Sequence, residues 1–262
     1  MRKLPHAALI ALIATGCTHG LHLVEERATS AYLTTGGPSQ SLVYAKRTAA
    51  GVVLVDLGWF GAREELPAAL SRIEAEPGDV AGVLLTHSHR DHIAGWPAVR
   101  QATFFTADAE LELLHGRREH GAWLPRWGDR LDPPELPEPG EIRVRTFSAD
   151  TLLVFGADTV RAFTMPGHTA GSAAYLLDGV LFVGDGLSHS KLFGGFRSPL
   201  RRYSEDADLA RRSLLEVLER AGARGVRAVC TAHANCAPYD EVVETISATP
   251  TDRSAAPAAG RS

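Results

Sequence analysis

The sequence predicts an α/β fold in which two β-sheets pack face to face with helices on their outer surfaces. Three observations carry that reading. Runs of short apolar strands broken by turn residues occupy 28–58 and 142–183, and each run is followed by a helix-like segment. The stretch Val52-Val53-Leu54-Val55-Asp56-Leu57-Gly58 is echoed by Val180-Leu181-Phe182-Val183-Gly184-Asp185-Gly186, which suggests two related halves. The 262 residues, 45% of them hydrophobic, suffice for one sizeable core, so 28–246 is read as one domain with short appendages.

The first half opens with strands at Ala31 to Leu33, Ser41 to Ala45 and Val52 to Leu57. Leu66, Leu70 and Ile73 recur at helical spacing within Ala62 to Ala75, and Pro77-Gly78 stops that helix. A buried strand is expected at Val80 to Leu85, a brief helix at Ile93 to Val99, a strand at Thr103 to Thr106 and a helical turn at Ala109 to Leu114. His115 to Gly140 holds Trp123, Trp127 and five prolines among many charges and supports neither period, so a long loop is expected there. In the second half, strands are read at Ile142 to Phe147, Leu152 to Phe155, Thr159 to Thr164, Ala173 to Leu177 and Val180 to Val183. The long helix Asp206 to Arg220 follows, with Leu209, Leu214, Leu215 and Leu218 on one face. A strand at Val226 to Thr231 ends near His233, a last helix is read at Tyr239 to Ile246, and the Ala/Pro/Ser/Thr-rich tail 249–262 is expected to be disordered.

Arg2 and Lys3, the apolar run Ala7 to Ala14, and Gly16 before Cys17 have the order of an export signal. Residues 1–16 are therefore read as a signal peptide, with Cys17 a candidate for lipidation and a periplasmic, possibly membrane-anchored location. The run is too short to span a bilayer. A formal charge of −4 gives no basic footprint for nucleic acid, and a small-molecule substrate is the better expectation. Cys230 and Cys236 lack the spacing of a zinc knuckle; they could bridge in an oxidising compartment, but Cys230 reads more simply as a small buried strand residue.

The chemistry concentrates in Thr86-His87-Ser88-His89-Arg90-Asp91-His92, directly after an apolar strand. In extended backbone His87 and His89 point the same way and can share one metal, while Asp91 and His92 can face a second. His168, Asp185 and His233 also directly follow apolar strands, and strand ends on one edge of a layered fold converge on a common rim. His189 is a nearby rival to His233, but it lies in a loop whereas His233 ends a strand. Imidazole and carboxylate donors together suit zinc, iron or manganese, so ligand type narrows the metal without fixing it.

These motifs, THSHRDHIAG, PGHTAGS, VGDG and the late His233, resemble the ordered motifs of the metallo-β-lactamase superfamily over about residues 28–246. The resemblance implies a four-layer αββα sandwich of two mixed sheets and a dinuclear zinc site. His87, His89 and His168 would hold one ion, Asp91, His92 and His233 the other, and Asp185 would bridge. It further implies a hydrolase in which a metal-bridging hydroxide attacks an ester, thioester, lactone or amide-type bond, with Asp91 orienting the nucleophile or passing a proton. An aspartate at 185 is similar to glyoxalase II-like thioesterases and lactone hydrolases. An iron-dependent sulfur dioxygenase using His87, His168 and Asp185, a periplasmic β-lactamase, and a binding protein with a structural metal are the competing readings. Trp59, Phe60, Trp123, Trp127 and Lys191 are candidates for the substrate pocket.

Overall fold

A computed structural model describes residues 21–23, 30–35, 41–189, 195–234 and 236–248. The expected signal segment 1–16, Cys17, Lys191 and the tail 249–262 lie outside the described residues. The chain forms strands β1 (Leu21–Leu23), β2 (Ser30–Thr35), β3 (Ser41–Thr48), β4 (Gly51–Val55), β5 (Val80–Leu84), β6 (Thr103–Ala107) and β7 (Arg143–Phe147), which lie in that order in a seven-stranded sheet. The first four pair antiparallel, and β4 to β7 pair parallel through crossovers. The second sheet contains β8 (Thr151–Phe155), β9 (Asp158–Thr164), β10 (Ala173–Leu177), β11 (Val180–Phe182), β14 (Ala228–Cys230) and β15 (Cys236–Pro238), in the order β15-β14-β11-β10-β9-β8. Between its halves a small hairpin joins β12 (Ser188–His189) to β13 (Phe196–Arg197).

Strand alternation explains why two sheets need helices on both outer faces. In β3 and β4, Val43, Ala45, Val52 and Leu54 face outward with helix α1 (Ala62–Ser71), while Leu42, Tyr44, Val53 and Val55 face the other sheet. In β10, Ala173, Tyr175 and Leu177 meet those inward residues, while Ala174 and Leu176 pack under α5 (Ala207–Gly222) and α6 (Tyr239–Ala248). Three apolar layers thus separate four layers of structure, the expected αββα sandwich. The fully buried Tyr175 ties the sheets together, its hydroxyl 2.9 Å from the carbonyl oxygens of Leu85 and Phe105.

Two expectations fail. After the one-turn helix α3 (Leu111–Leu114), the segment 115–140 is not all loop, because Trp123–Leu131 forms a helix, α4, in which no residue is buried. Helical periodicity is legible when a stripe faces a core. Here the stripe Trp123, Trp127 and Leu131 is 58–66% exposed, and Pro125 and Gly128 interrupt the run. The second failure is Cys230, which is not a lone buried thiol. A short strand, β15, returns beside β14 so that Cys230 and Cys236 become register partners and form a disulfide.

Candidate metal centre

The centre lies at the strand ends on one rim. After β5 the chain runs extended through His87 and His89 and turns into a single helical turn, α2 (Arg90–Ile93), which carries Asp91 and His92. His168 lies in the turn between β9 and β10, Asp185 in the turn after β11, and His233 in the loop between β14 and β15. The turn conformations are demanding. Gly184 has φ +52° and Gly167 φ +131°; a Cβ on Gly167 would sit 2.1 Å from the Ala210 nitrogen at the start of α5. Gly167→Ala should therefore destabilise the fold by about 2 to 3 kcal/mol and displace His168. A melting temperature equal to wild type would refute this close contact.

All seven candidate donors come together. His87 Nε2, His89 Nδ1 and His168 Nε2 form a triangle with sides of 3.0, 3.1 and 3.1 Å. Burial first, and then the neighbouring histidines, hold the pKa of His87 well below the usual imidazole value, and burial likewise lowers His89 and His168. The shift favours the neutral form of each ring, the form that ligates metal. Nitrogens about 3 Å apart match the edges of a ligand set around a cation with Zn–N near 2.0 to 2.1 Å.

The other donors form a charged counterpart. His233 Nε2 lies 3.1 Å from Asp185 Oδ1 and 3.3 Å from Asp91 Oδ2. His92 Nε2 is buried without a hydrogen-bond partner, 3.6 Å from Asp185 Oδ1 and 4.0 Å from Asp91 Oδ2. Burial alone would lower the His92 pKa, but Asp56, Asp91 and Asp185 together raise it to about 9. Burial would raise Asp185, and the His233, His92 and His168 rings more than offset it and hold its carboxyl well below the usual range. A divalent cation among these groups would replace the protons on His92 and His233, which is how such ligands normally bind metal. The Asp185 carboxylate spans both groups, with Oδ2 3.6 Å from His168 Nε2 and Oδ1 toward His92 and His233. The donor set, its spacing and the orphaned His92 nitrogen fit a pair of small cations.

Several supporting residues escaped the sequence reading. Asp56, held at φ 56° at the end of β4, accepts from the Thr86 amide and hydroxyl and lies 2.9 Å from His92 Nδ1. That contact fixes the tautomer and leaves Nε2 to face the centre. It follows an apolar strand just as the seven donors do, so the same signal could have found it. Glu110 is fully buried; Oε1 accepts from the Ser88 amide at 2.7 Å and hydroxyl at 2.6 Å, and Oε2 accepts from Thr169 at 2.6 Å. One carboxylate thus joins the loop of His87 and His89 to that of His168. His120 packs edge-on to His89, with ring centres 4.3 Å apart, and its Nε2 is 3.5 Å from Asp129 on α4. Burial, with His168 next, lowers His120 to about 4, and burial raises Asp129 to about 6.

A cavity of about 360 Å³ opens over the centre. Trp59 and Trp127 line it with Leu124, Leu200 and Tyr203, and Arg90 lies 5.3 Å over the Trp59 ring. Phe60, stacked on Trp59, and Trp123 are exposed outside that lining. The expected contrast between them is reversed, since the rival His189 lies in strand β12 and His233 in a loop; His189 also lines the cavity, yet its ring packs against Phe196, and it is His233 that reaches Asp185.

A sequence profile described as the metallo-beta-lactamase superfamily matches residues 34–233. The chain belongs to the metallo-β-lactamase superfamily. A hydroxyacylglutathione hydrolase of Shewanella sp. strain ANA-3 is 33% identical over 134 residues, 50% of this chain and 45% of that protein. A probable polyketide biosynthesis zinc-dependent hydrolase, BaeB of Bacillus velezensis, is 27% identical over 55% of this chain and 52% of its own length. The chain thus spans about half the length of the curated relatives it matches. Among solved structures, a metallo-β-lactamase from Pontibacter korlensis covers 88% of this chain and all of its own at TM-score 0.60 and 18% identity. An archaeal superfamily protein from Sulfolobus tokodaii covers 84% of this chain and 85% of its own at TM-score 0.56 and 17% identity. At those identities the likeness is one of fold. The chain is thus a member of this superfamily whose clustered histidine and aspartate side chains could hold metal.

Proposed function

We propose that the protein is a dinuclear zinc hydrolase acting on an activated carbonyl, a thioester first and an ester or lactone next. The observation that carries this reading is the Asp185 carboxylate, whose two oxygens face two separate donor groups. The relatives named as hydroxyacylglutathione hydrolases support the thioester. When bound, two cations supply Lewis acidity, lowering the pKa of water and offsetting developing negative charge. The His87, His89 and His168 rings would hold one ion, and Asp91, His92 and His233 the other. The Asp91 side chain reaches the cavity, where it can orient the attacking water and hand a proton to the leaving group. Its backbone is fixed by Ser41, whose hydroxyl donates to the Asp91 carbonyl. The apolar wall of Trp59, Leu124, Trp127 and Leu200 receives the acyl group and excludes water.

The test combines metal analysis with a panel of thioesters, lactones, β-lactams and phosphodiesters. About two zinc ions per chain and thioester turnover are expected; one iron with oxygen uptake would establish the dioxygenase reading instead. Trp127→Ala should keep the metal and kcat but raise KM for apolar acyl groups about 5- to 30-fold, as loss of one aromatic wall of a pocket would. A KM unchanged across acyl groups would remove Trp127 from the substrate site.

We further propose export, with Cys17 lipidated and first in the mature chain. The signal-like order of residues 1–16 supports it, and a disulfide at Cys230–Cys236 suits an oxidising compartment. Mass spectrometry of membrane-extracted protein tests it, and an unmodified Met1 would contradict it.

A further inference from the structure

We infer that Arg90 is a positioning residue that sets substrate specificity, holding the Trp127 wall of the cavity at a fixed distance from the Trp59 wall and so fixing the slot that receives the acyl group. The inference rests on the reading of this cavity as the substrate site. Helix α4 supplies Trp127, yet none of its residues is buried and Trp127 is 58% exposed. Burial of an apolar stripe is what seats most helices, so α4 depends on polar and ring contacts for its place. Its N-terminal end is tied by the Leu124 amide, which donates to the Arg202 carbonyl at 3.3 Å. Arg130 pairs with Glu119 in the chain just before the helix, and Asp129 lies 3.5 Å from His120. Beyond the helix, Trp96 Nε1 donates to the Glu135 carbonyl at 3.0 Å. These contacts set where the helix begins and where the chain goes afterwards; none of them joins its last turn to the opposite wall.

Arg90 makes that connection. It stands between the donors His89 and Asp91 as the first residue of α2, a turn fixed by the His92 amide on the His89 carbonyl and by Ser41 on the Asp91 carbonyl. From this base its side chain reaches both walls. The guanidinium carbon lies 5.3 Å from the centre of the Trp59 ring, and Nη1 donates to the carbonyls of Gly128 and Asp132 at 3.4 and 3.3 Å, with the Asp132 carboxylate 3.7 Å away. Gly128 follows Trp127 directly, and Asp132 closes the helix. The last carbonyls of a helix lack partners within it and attract a cation. A Cβ at 128 would sit 3.3 Å from Arg90 Nη2, so glycine there lets the guanidinium lie close against the backbone of α4. A planar guanidinium can lie over an indole face and donate in its own plane at once, which a lysine ammonium cannot.

Without Arg90 the last turn of α4 loses its bonds to the rim of the centre, and Trp127 is no longer held opposite Trp59. The metal donors keep their own supports, since Glu110 joins the loops of His87, His89 and His168 and Asp56 holds His92. Specificity should therefore change while metal binding does not. An acyl chain long enough to touch both walls loses one of them, and an acetyl group has little to lose.

The experiment compares zinc-loaded, full-length wild type with Arg90→Ala, Arg90→Lys, Trp127→Ala and the double variant Arg90→Ala/Trp127→Ala on thioesters from acetyl to octanoyl, together with limited digestion by trypsin. Bound zinc equal to wild type is expected throughout, with KM for the octanoyl thioester raised about 5- to 30-fold by Arg90→Ala, KM for the acetyl thioester nearly unmoved, and the loss appearing in KM more than in kcat. Arg90→Lys should resemble alanine, and the double variant should resemble Trp127→Ala instead of showing the product of the two effects, because Arg90 acts through Trp127. Cleavage after Arg126 or Arg130 in α4 should become about 10-fold faster without Arg90, since it tracks the population in which the helix is released. Trypsin cleaving α4 at the wild-type rate would overturn the inference, and so would KM effects that multiply in the double variant or that are equal for acetyl and octanoyl groups. Zinc loss in Arg90→Ala would also overturn it, placing the residue behind the metal ligands instead. A wild type that hydrolyses no thioester would refute the substrate reading, and the digestion by itself would then decide whether Arg90 seats α4.

Discussion

Asp185→Asn is expected to lower bound zinc from about two ions to one or fewer per chain and to reduce hydrolysis at least about 100-fold, the largest functional effect of any single change at the centre. The reason is in the two oxygens. Oδ2 faces the neutral His168 ring and Oδ1 faces His92 and His233, so the carboxylate both spaces the two donor groups and supplies their shared negative charge. Asparagine keeps the shape but has one acceptor oxygen, and its NH2 group can face only an acceptor. Whichever way the amide turns, one donor group loses its carboxylate ligand, and Asp91 is left as the one carboxylate on the side of the His92 and His233 Nε2 atoms among the described residues, with Asp56 on the far side of the His92 ring. Metal content by mass spectrometry and turnover of the best substrate should fall together. A variant with full metal and full activity would show that the carboxylate does not bridge.

The clustering of the seven candidate donors was legible in the sequence because each follows an apolar strand, and a layered fold brings strand ends to one rim. His87 to His92 follow β5, and Asp185 follows β11. Asp56 obeys the same rule after β4, yet it was passed over, since a single aspartate before Leu57-Gly58 looks like a turn residue until His92 is seen 2.9 Å away. Glu110 and His120 gave no such signal. Glu110 belongs to a one-turn 3-10 segment among polar neighbours, and its burial arises from the loops of Ser88 and Thr169 closing over it. His120 is buried by α4, the helix hidden in the proline-rich stretch, so missing the helix meant missing the histidine. The disulfide was illegible for a related reason. Spacing cannot reveal that three residues, Cys236 to Pro238, turn back as an edge strand in register with Cys230.

Glu110→Ala is expected to destabilise the fold by about 4 kcal/mol. It leaves the Ser88 amide, the Ser88 hydroxyl and the Thr169 hydroxyl without their shared acceptor, and it opens a space between two loops that carry metal ligands. Thr169 retains Ser172 as a partner at 2.9 Å, but the buried Ser88 amide donates to Glu110 alone among the described residues. Glu110→Gln separates charge from shape. Its amide oxygen can still accept from Ser88, and its NH2 can donate to Thr169, which then donates to Ser172, so a loss near 1 kcal/mol is expected. Burial is the largest influence on Glu110 and raises its pKa, with the bonds from Ser88 and Thr169 pulling it back. A raised folded value means that this carboxyl supports the fold most fully below the unfolded glutamate pKa, and that its contribution fades as pH rises through the folded value. Glutamine is neutral throughout. Urea midpoints of the metal-free proteins should therefore show the Glu110→Gln deficit shrinking from about pH 5 to about pH 8, while Glu110→Ala stays far less stable at both. An alanine variant as stable as wild type would mean that water replaces the carboxylate, and that Glu110 does not join the two ligand loops.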